Sequence, residues 1–397
     1  MTEEVHARLR ALLLLTSIIV LLISIGFRYT GDFESFYIAG TQFLKGLNPY
    51  NPELYHTYRS FGMSSLPPAI VLTCLPCLLP LHAAIPVWDI FCLLLWTASI
   101  YLWAELLWSR PIEMPMFARL CAVCLLAPLC WAFQTHQVTV AVFFFASLAC
   151  WAAKRVRPGW AGIAVGLMLM KPHLTFLLAA ALFLKTNRKS LFIIGVAAGL
   201  LLPYIPFMNT VRPVSDLRTW ARTLSHQQTE VFYLDDQGLV SRMASFFPVV
   251  ARRDAKASNG PGILIPISRG RFLAHIKTAF WIFGCSLWGW WGWSKYRHLS
   301  GSALYAGALA WGLLISPYSH FYDGVLLTPL VLVIFDKSRH ISRNDDRLFP
   351  LFFSFNFMMG ALVALASRFS FYLWPLMGWT SVAYCAFAAS IYSCGFL

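Results

Sequence analysis

Residues 11–40 read ALLLLTSIIVLLISIGFRYTGDFESFYIAG. The first part, Ala11 to Gly26, is almost entirely apolar and follows Arg8 and Arg10. With its flanks it approaches the roughly 20 residues that a helix needs to cross a bilayer. It carries no convincing small-x-small cleavage site, so it reads as a retained anchor with a cytoplasmic N-terminus and not as a removed leader. The second part changes period. Phe33, Phe36, Tyr37, Gly40, Phe43 and Leu44 recur at spacings of three and four, which predicts an amphipathic helix over 33–44 lying on the membrane surface. Asp32 falls at its N-cap or beside it, and Glu34 follows two residues on. Asn48-Pro-Tyr-Asn-Pro52 then forces turns, because proline fixes its own φ and restricts its predecessor.

The whole chain repeats the character of its first span. Of 397 residues, 58% are hydrophobic and 12% charged, against about 45–50% and 25% in an ordinary soluble domain. Lys and Arg number 31 against 17 acidic residues. In a membrane protein such an excess belongs in cytoplasmic turns. Nothing interleaves basic and aromatic residues on a polar surface, so a nucleic-acid partner is not expected.

Apolar runs lie at about 11–27, 84–107, 117–133, 138–153, 159–171, 172–185, 190–208, 271–294, 299–316, 321–335, 347–366 and 371–394, giving about twelve spans. The short pair 159–171 and 172–185 meets at Met170-Lys171-Pro172-His173, which is either a tight outer turn or a broken helix lining a cavity. Leu66–Leu81 is also apolar but is interrupted by prolines 67, 68, 76 and 80. Left in the outer interface, it keeps the basic turns at Lys154-Arg155, Arg188-Lys189, Lys295/Arg297 and Lys337/Arg339 on one side, as the positive-inside rule requires. The predicted architecture is an all-α polytopic bundle forming a single domain over 1–397. Its first outer loop, 28–83, holds two interfacial helices, and a second large outer loop spans 209–270.

Cysteines 74, 77, 121 and 124 sit in apolar runs without a neighbouring His or second pair to complete a metal site. They read as buried thiols, with a Cys74–Cys77 disulfide as the lesser alternative.

Asp32, Tyr37, Ala39, Gly40, Leu44, Gly46 and Tyr50 form the pattern D-x4-Y-x-A-G-x3-L-x-G-x3-Y. With Leu66-Pro-Pro68, the polar turn Thr135-His-Gln137, Met170-Lys171-Pro172 and Ser316-Pro-Tyr-Ser-His320, the chain resembles the GT-C glycosyltransferases. It is most similar to family 87, the polyprenol-phosphate-mannose-dependent mannosyltransferases. One departure stands out: the family's usual Gly-Gln in the polar turn is His136-Gln137 here. The resemblance implies a GT-C-type bundle, a polyprenyl-phosphate sugar donor, a membrane-associated glycan or glycolipid acceptor, inversion at the anomeric carbon, and an active site on the outer face of the plasma (inner) membrane. It also implies a catalytic carboxylate in the first outer loop, which falls on Asp32.

Transfer from a lipid monophosphate needs a base for the acceptor hydroxyl and cationic donors for the departing phosphate. Asp32 is the candidate base, and a plain N-cap is the competing reading. Lys171 is the candidate phosphate holder, because a lysine within apolar sequence is costly unless paired or hydrated; snorkelling to the interface is the alternative. His320, three residues before Asp323, is placed to meet that carboxylate on a helix, a pairing that would raise the imidazole's proton affinity and favour phosphate binding; the competing reading is a local hydrogen bond that only ends the span. His173 and Gln137 are further phosphate-side candidates. Glu34, Tyr37, Asp89 and Asp323 are acceptor-side or auxiliary candidates. No cofactor and no metal are expected. A transporter or lipid flippase is the rival class, since embedded Lys and His suit it; a half-to-half repeat, its expected mark, is not visible.

Overall fold

A computed structural model describes residues 31–50, 67–108, 120–121, 124, 127–207, 218, 221, 231–233, 240, 262–264, 267–295, 300–317 and 319–341. The expected spans 11–27, 347–366 and 371–394, and most of the 209–270 loop, lie outside these residues. The described chain is helical apart from one two-stranded antiparallel ribbon, β1 (Val231–Tyr233) against β2 (Gly262–Leu264), within the segment 209–270.

The first two described helices are short. α1 runs Gly31–Leu44 and α2 Pro67–Cys74, followed by a 3-10 turn over Pro76–Leu78. The predicted apolar stripe of α1 is buried at Phe33, Phe36 and Phe43. Gly40 of α1 faces Cys77, whose sulfur would lie 2.5 Å from any added Cβ. The Tyr37 hydroxyl donates to the carbonyl of Leu79 at 2.8 Å, clasping α1 to the segment that leads into the next helix. Tyr37 was an acceptor-side candidate; its hydroxyl serves this clasp. The Cys74 and Cys77 thiols are free, and burial pushes both up to about 12.

α3, Leu81–Leu107, is the one described helix long and apolar enough to cross a membrane by itself. Trp88, Cys92, Trp96, Ser99, Trp103 and Leu106 make its buried stripe, while Val87, Ile90, Leu94 and Tyr101 lie exposed on its other faces. The stripe packs on α5 (Thr139–Lys154), where Trp103 donates to Ser147 Oγ at 3.1 Å. At the far end Trp151 and Arg155 both donate to Glu105 Oε2, at 2.7 and 3.1 Å. α4 covers Ala127–Gln134, α6 Pro158–Met168, α7 Pro172–Lys185, α8 Lys189–Leu201, α9 Ile267–Lys295, α10 Gly301–Ile315 and α11 Thr328–Ile341. The expected span 321–335 opens instead as a 3-10 turn over Phe321–Leu327. Large apolar side chains stand exposed on α8 (Ile193, Ile194) and α9 (Phe272, Phe283, Trp290, Trp293), a surface suited to lipid and ill suited to water.

α6 and α8 touch backbone to backbone. Gly162 and Gly166 on one helix face Gly195 and Gly199 on the other, the small-xxx-small pattern of close helix pairs in membranes.

Three helices end in the same way. At the end of α1, Leu47 N–H bonds Gln42 O and Gly46 N–H bonds Phe43 O. The same pair of bonds closes α4 around His136 and α5 around Val156. In this Schellman arrangement the residue after the cap is left-handed, usually a glycine. Gly46 meets that rule at φ 72, but His136 (φ 52) and Val156 (φ 56) do not. A left-handed conformation costs a residue with a Cβ about 1–2 kcal/mol. Val156 is 76% exposed, so Val156→Gly is expected to raise stability by roughly 1 kcal/mol, read as an upward shift in thermal midpoint. An unchanged or lower midpoint would mean that the strain is relieved elsewhere.

Candidate active site

Three links between helices, far apart in sequence, supply a band of buried polar side chains. The α4–α5 link gives Thr135, His136 and Gln137, followed by Thr139; the α6–α7 link gives Lys171; the segment after α10 gives Ser316, Ser319, His320 and Asp323.

The α6–α7 link exists because Pro172 cannot continue a helix that already holds α6. It starts α7 instead, at the position where a missing N–H costs nothing. Lys171 therefore becomes the N-cap residue, with φ −127 and ψ 75. Its carbonyl accepts from Thr175 Oγ1 at 3.1 Å. The Lys171 ammonium is buried and donates to Asp323 Oδ1 and to Thr139 Oγ1, each at 2.8 Å. Thr139 in turn donates to Asp323 Oδ1 at 2.7 Å. The other oxygen, Asp323 Oδ2, accepts the backbone N–H of His320 at 2.8 Å. The expected meeting of His320 and Asp323 takes the form of a capping box: the Asp323 carboxylate accepts the His320 backbone N–H, and the His320 side chain accepts the Asp323 backbone N–H. Asp323 organises three segments at once, and it does so as the direct partner of Lys171.

A second buried pair lies on the same α4–α5 link. His136 Nδ1 is 2.7 Å from Asp89 Oδ1, the histidine side chain fully inaccessible and the aspartate nearly so. Trp88, one residue before Asp89, donates its indole N–H to the His136 carbonyl at 3.0 Å. Asp89, an acceptor-side or auxiliary candidate in the sequence, is the partner of this imidazole. The ring of Phe33 stands 5.9 Å from the His136 ring, edge to face, and 6.1 Å from that of Trp88. The first turn of α1 is thereby set against the Asp89–His136 pair. Asp32 is the second residue of that turn, inside the helix and not ahead of it.

The remaining candidates are placed as follows. Gln137 is buried in the link, with its N–H closing the end of α4 on Ala132 O at 2.9 Å. His173 is half-buried at the start of α7, and Glu34 half-buried in α1.

The glycosyltransferase family 87 model matches residues 67–317, more than half of the chain. The chain belongs to glycosyltransferase family 87. The matched region takes in Asp89, His136, Gln137, Thr139, Lys171 and His173; Asp32 precedes it, and His320 and Asp323 follow it. No curated protein and no solved structure gives a match. Membership makes this protein a membrane glycosyltransferase with a sugar donor and an acceptor, and it sets aside the transporter reading.

Thr139 and the partnership of Asp89 with His136 were not anticipated from sequence. A threonine inside an apolar run gives no signal. The histidine did carry one: it occupies the turn position where the resemblance leads one to expect glycine, and that position is left-handed.

Proposed function

We propose that this family 87 member is an inverting transferase of about twelve helices. It would move a hexose, mannose first, from a polyprenyl-phosphate donor to a membrane-associated glycan or glycolipid on the outer face of the inner membrane. The observation that carries the reading is the convergence of three segments on the Lys171 ammonium, with the first turn of α1, which bears Asp32, packed through Phe33 on His136 of one of them. Transfer from a lipid-borne sugar phosphate needs a fixed cation for the departing phosphate and a carboxylate as base.

In this mechanism the donor phosphate settles near Lys171, with His320 and His173 as further donors and Gln137 on the same side. Asp323 and Thr139 keep the ammonium from moving as charge builds on the leaving oxygen; such preorganisation is what makes an electrostatic contact catalytic. Asp32 takes the proton of the acceptor hydroxyl as the C1–O bond to phosphate breaks and the new glycosidic bond forms from the opposite face. The proton ends on the carboxylate, the electron pair on the phosphate. Glu34, two residues on, contacts the acceptor. No metal ion is required in this scheme.

The test is transfer of radiolabelled sugar from polyprenyl-phosphate-mannose to an extract of native membranes by the purified protein in lipid. Asp32→Asn is expected to lower the rate about a hundredfold to ten-thousandfold, the usual contribution of a general base, with donor binding retained. Undiminished transfer by the variant would move the base to another carboxylate. Absence of transfer from mannosyl, glucosyl and arabinofuranosyl lipid phosphates alike would overturn the donor class.

A further inference from the structure

His136 combines three costs. It holds a left-handed backbone at φ 52, it is buried beside an equally buried carboxylate, and its Nε2 has no hydrogen-bond partner among the described residues. Strain alone marks nothing, since Val156 is strained on the surface. A buried ring nitrogen without a partner is different: leaving one unsatisfied carries the full desolvation penalty of the group, and such a group is accounted for when a ligand completes it. A glycine at 136 would remove the strain and the unsatisfied nitrogen together.

The chemistry of the missing partner follows from the ring. A carboxylate only accepts, so Nδ1 carries the proton that faces Asp89. In the neutral ring this fixes the tautomer and leaves Nε2 as a lone-pair acceptor turned away from Asp89. Its complement is a hydroxyl. The position narrows the source. His136 lies three residues before Thr139, which holds the Lys171 ammonium at 2.8 Å. Three peptide units keep their Cα atoms within about 11 Å of each other, so a sugar attached to a phosphate at Lys171 has this nitrogen within reach.

We propose that His136 Nε2 accepts a hydrogen bond from a hydroxyl of the donor sugar, with Asp89 as the positioning residue that orients the ring. The proposal rests on the lipid-phosphate-sugar reading above and adds to it a sugar-selecting contact on a residue in which this chain departs from the glycine pattern.

Binding in lipid nanodiscs separates the two. The probes are polyprenyl phosphate and the same lipid phosphate bearing mannose, glucose or arabinofuranose. The wild type is expected to bind one sugar-bearing lipid more tightly than the bare phosphate, and His136→Gly to lose about tenfold of that preference while its affinity for the bare phosphate stays the same. A merely structural histidine would lower both affinities together. Because Asp89 loses its partner in that variant, Asp89→Asn/His136→Gly is measured beside it, with thermal melting as the control for folding. His136→Asn, the side chain best tolerated at positive φ after glycine, gives the same loss. An unchanged preference in the variants, equal losses for all probes, or no preference in the wild type for any of the sugars overturns the proposal. Preference without transfer by the wild type would sink the transferase donor class and keep the contact; transfer with preference unchanged in His136→Gly would do the reverse.

Discussion

Lys171→Met is expected to destabilise the protein by about 3–5 kcal/mol, the cost of leaving one partner of a buried ion pair alone, and to abolish transfer. The magnitude follows from what remains. Asp323 is 1% exposed, and in the variant its Oδ1 keeps only the Thr139 hydroxyl where it had an ammonium at 2.8 Å. Methionine matches the lysine stem in volume, so the loss is one of charge compensation rather than of packing. Lys171→Met/Asp323→Leu removes both charges and is expected to recover most of the thermal midpoint, since an apolar replacement of a buried pair is often neutral or better. Its activity is expected to stay at background. That split separates two roles of one lysine, holding the links together and holding a phosphate. A single variant that melts like wild type would mean the pair is hydrated and worth little; a double variant that transfers sugar would remove Lys171 from the phosphate site.

The all-helical character of this fold was legible in its apolar runs, although among the described residues only α3 is long and apolar enough to cross a membrane by itself. The helix expected over 33–44 is found at Gly31–Leu44. The break at Pro172 falls where the residue chemistry puts it. What resisted reading were contacts between elements. Lys171 and Asp323 are 152 positions apart, and nothing local to either names the other; a buried cation demands a partner without saying which. The sequence pointed from His320 to Asp323 on helical spacing; the two do meet, as a capping box in which each side chain accepts the other's backbone N–H, because His320 is an extended cap ahead of a 3-10 turn. His136 is the reverse case. Its oddity was visible in one line of sequence, but the left-handed backbone and the Asp89 contact that explain the oddity belong to the fold.

Gly195→Leu, in contrast with Gly289→Leu, is expected to show how tightly the α6–α8 contact is set. A Cβ at Gly195 would lie 2.3 Å from the Gly159 carbonyl oxygen and 3.0 Å from the Gly162 Cα. The obstacles are main-chain atoms of a neighbouring helix, so no side chain can swing aside and the helices must separate. Gly166 and Gly199 meet the same backbone from their own sides, at 2.4 Å from Val196 O and 2.2 Å from Ile163 O. Overpacking a well-filled interface costs about 1–3 kcal/mol, and Gly195→Leu belongs at or above the top of that range. Gly289 has nothing within 4 Å of its added Cβ. There leucine relieves a helical glycine and is expected to be neutral or to stabilise by up to about 1 kcal/mol. The two thermal midpoints should therefore move in opposite directions; equal shifts would show that α6 and α8 have room to adjust. The consequence reaches the site, because α6 ends at Met168, three residues before Lys171. Pushing α6 away from α8 shifts the link that carries the ammonium. Transfer by Gly195→Leu is thus expected to fall further than its loss of folded protein accounts for, measured as rate per mole of folded enzyme.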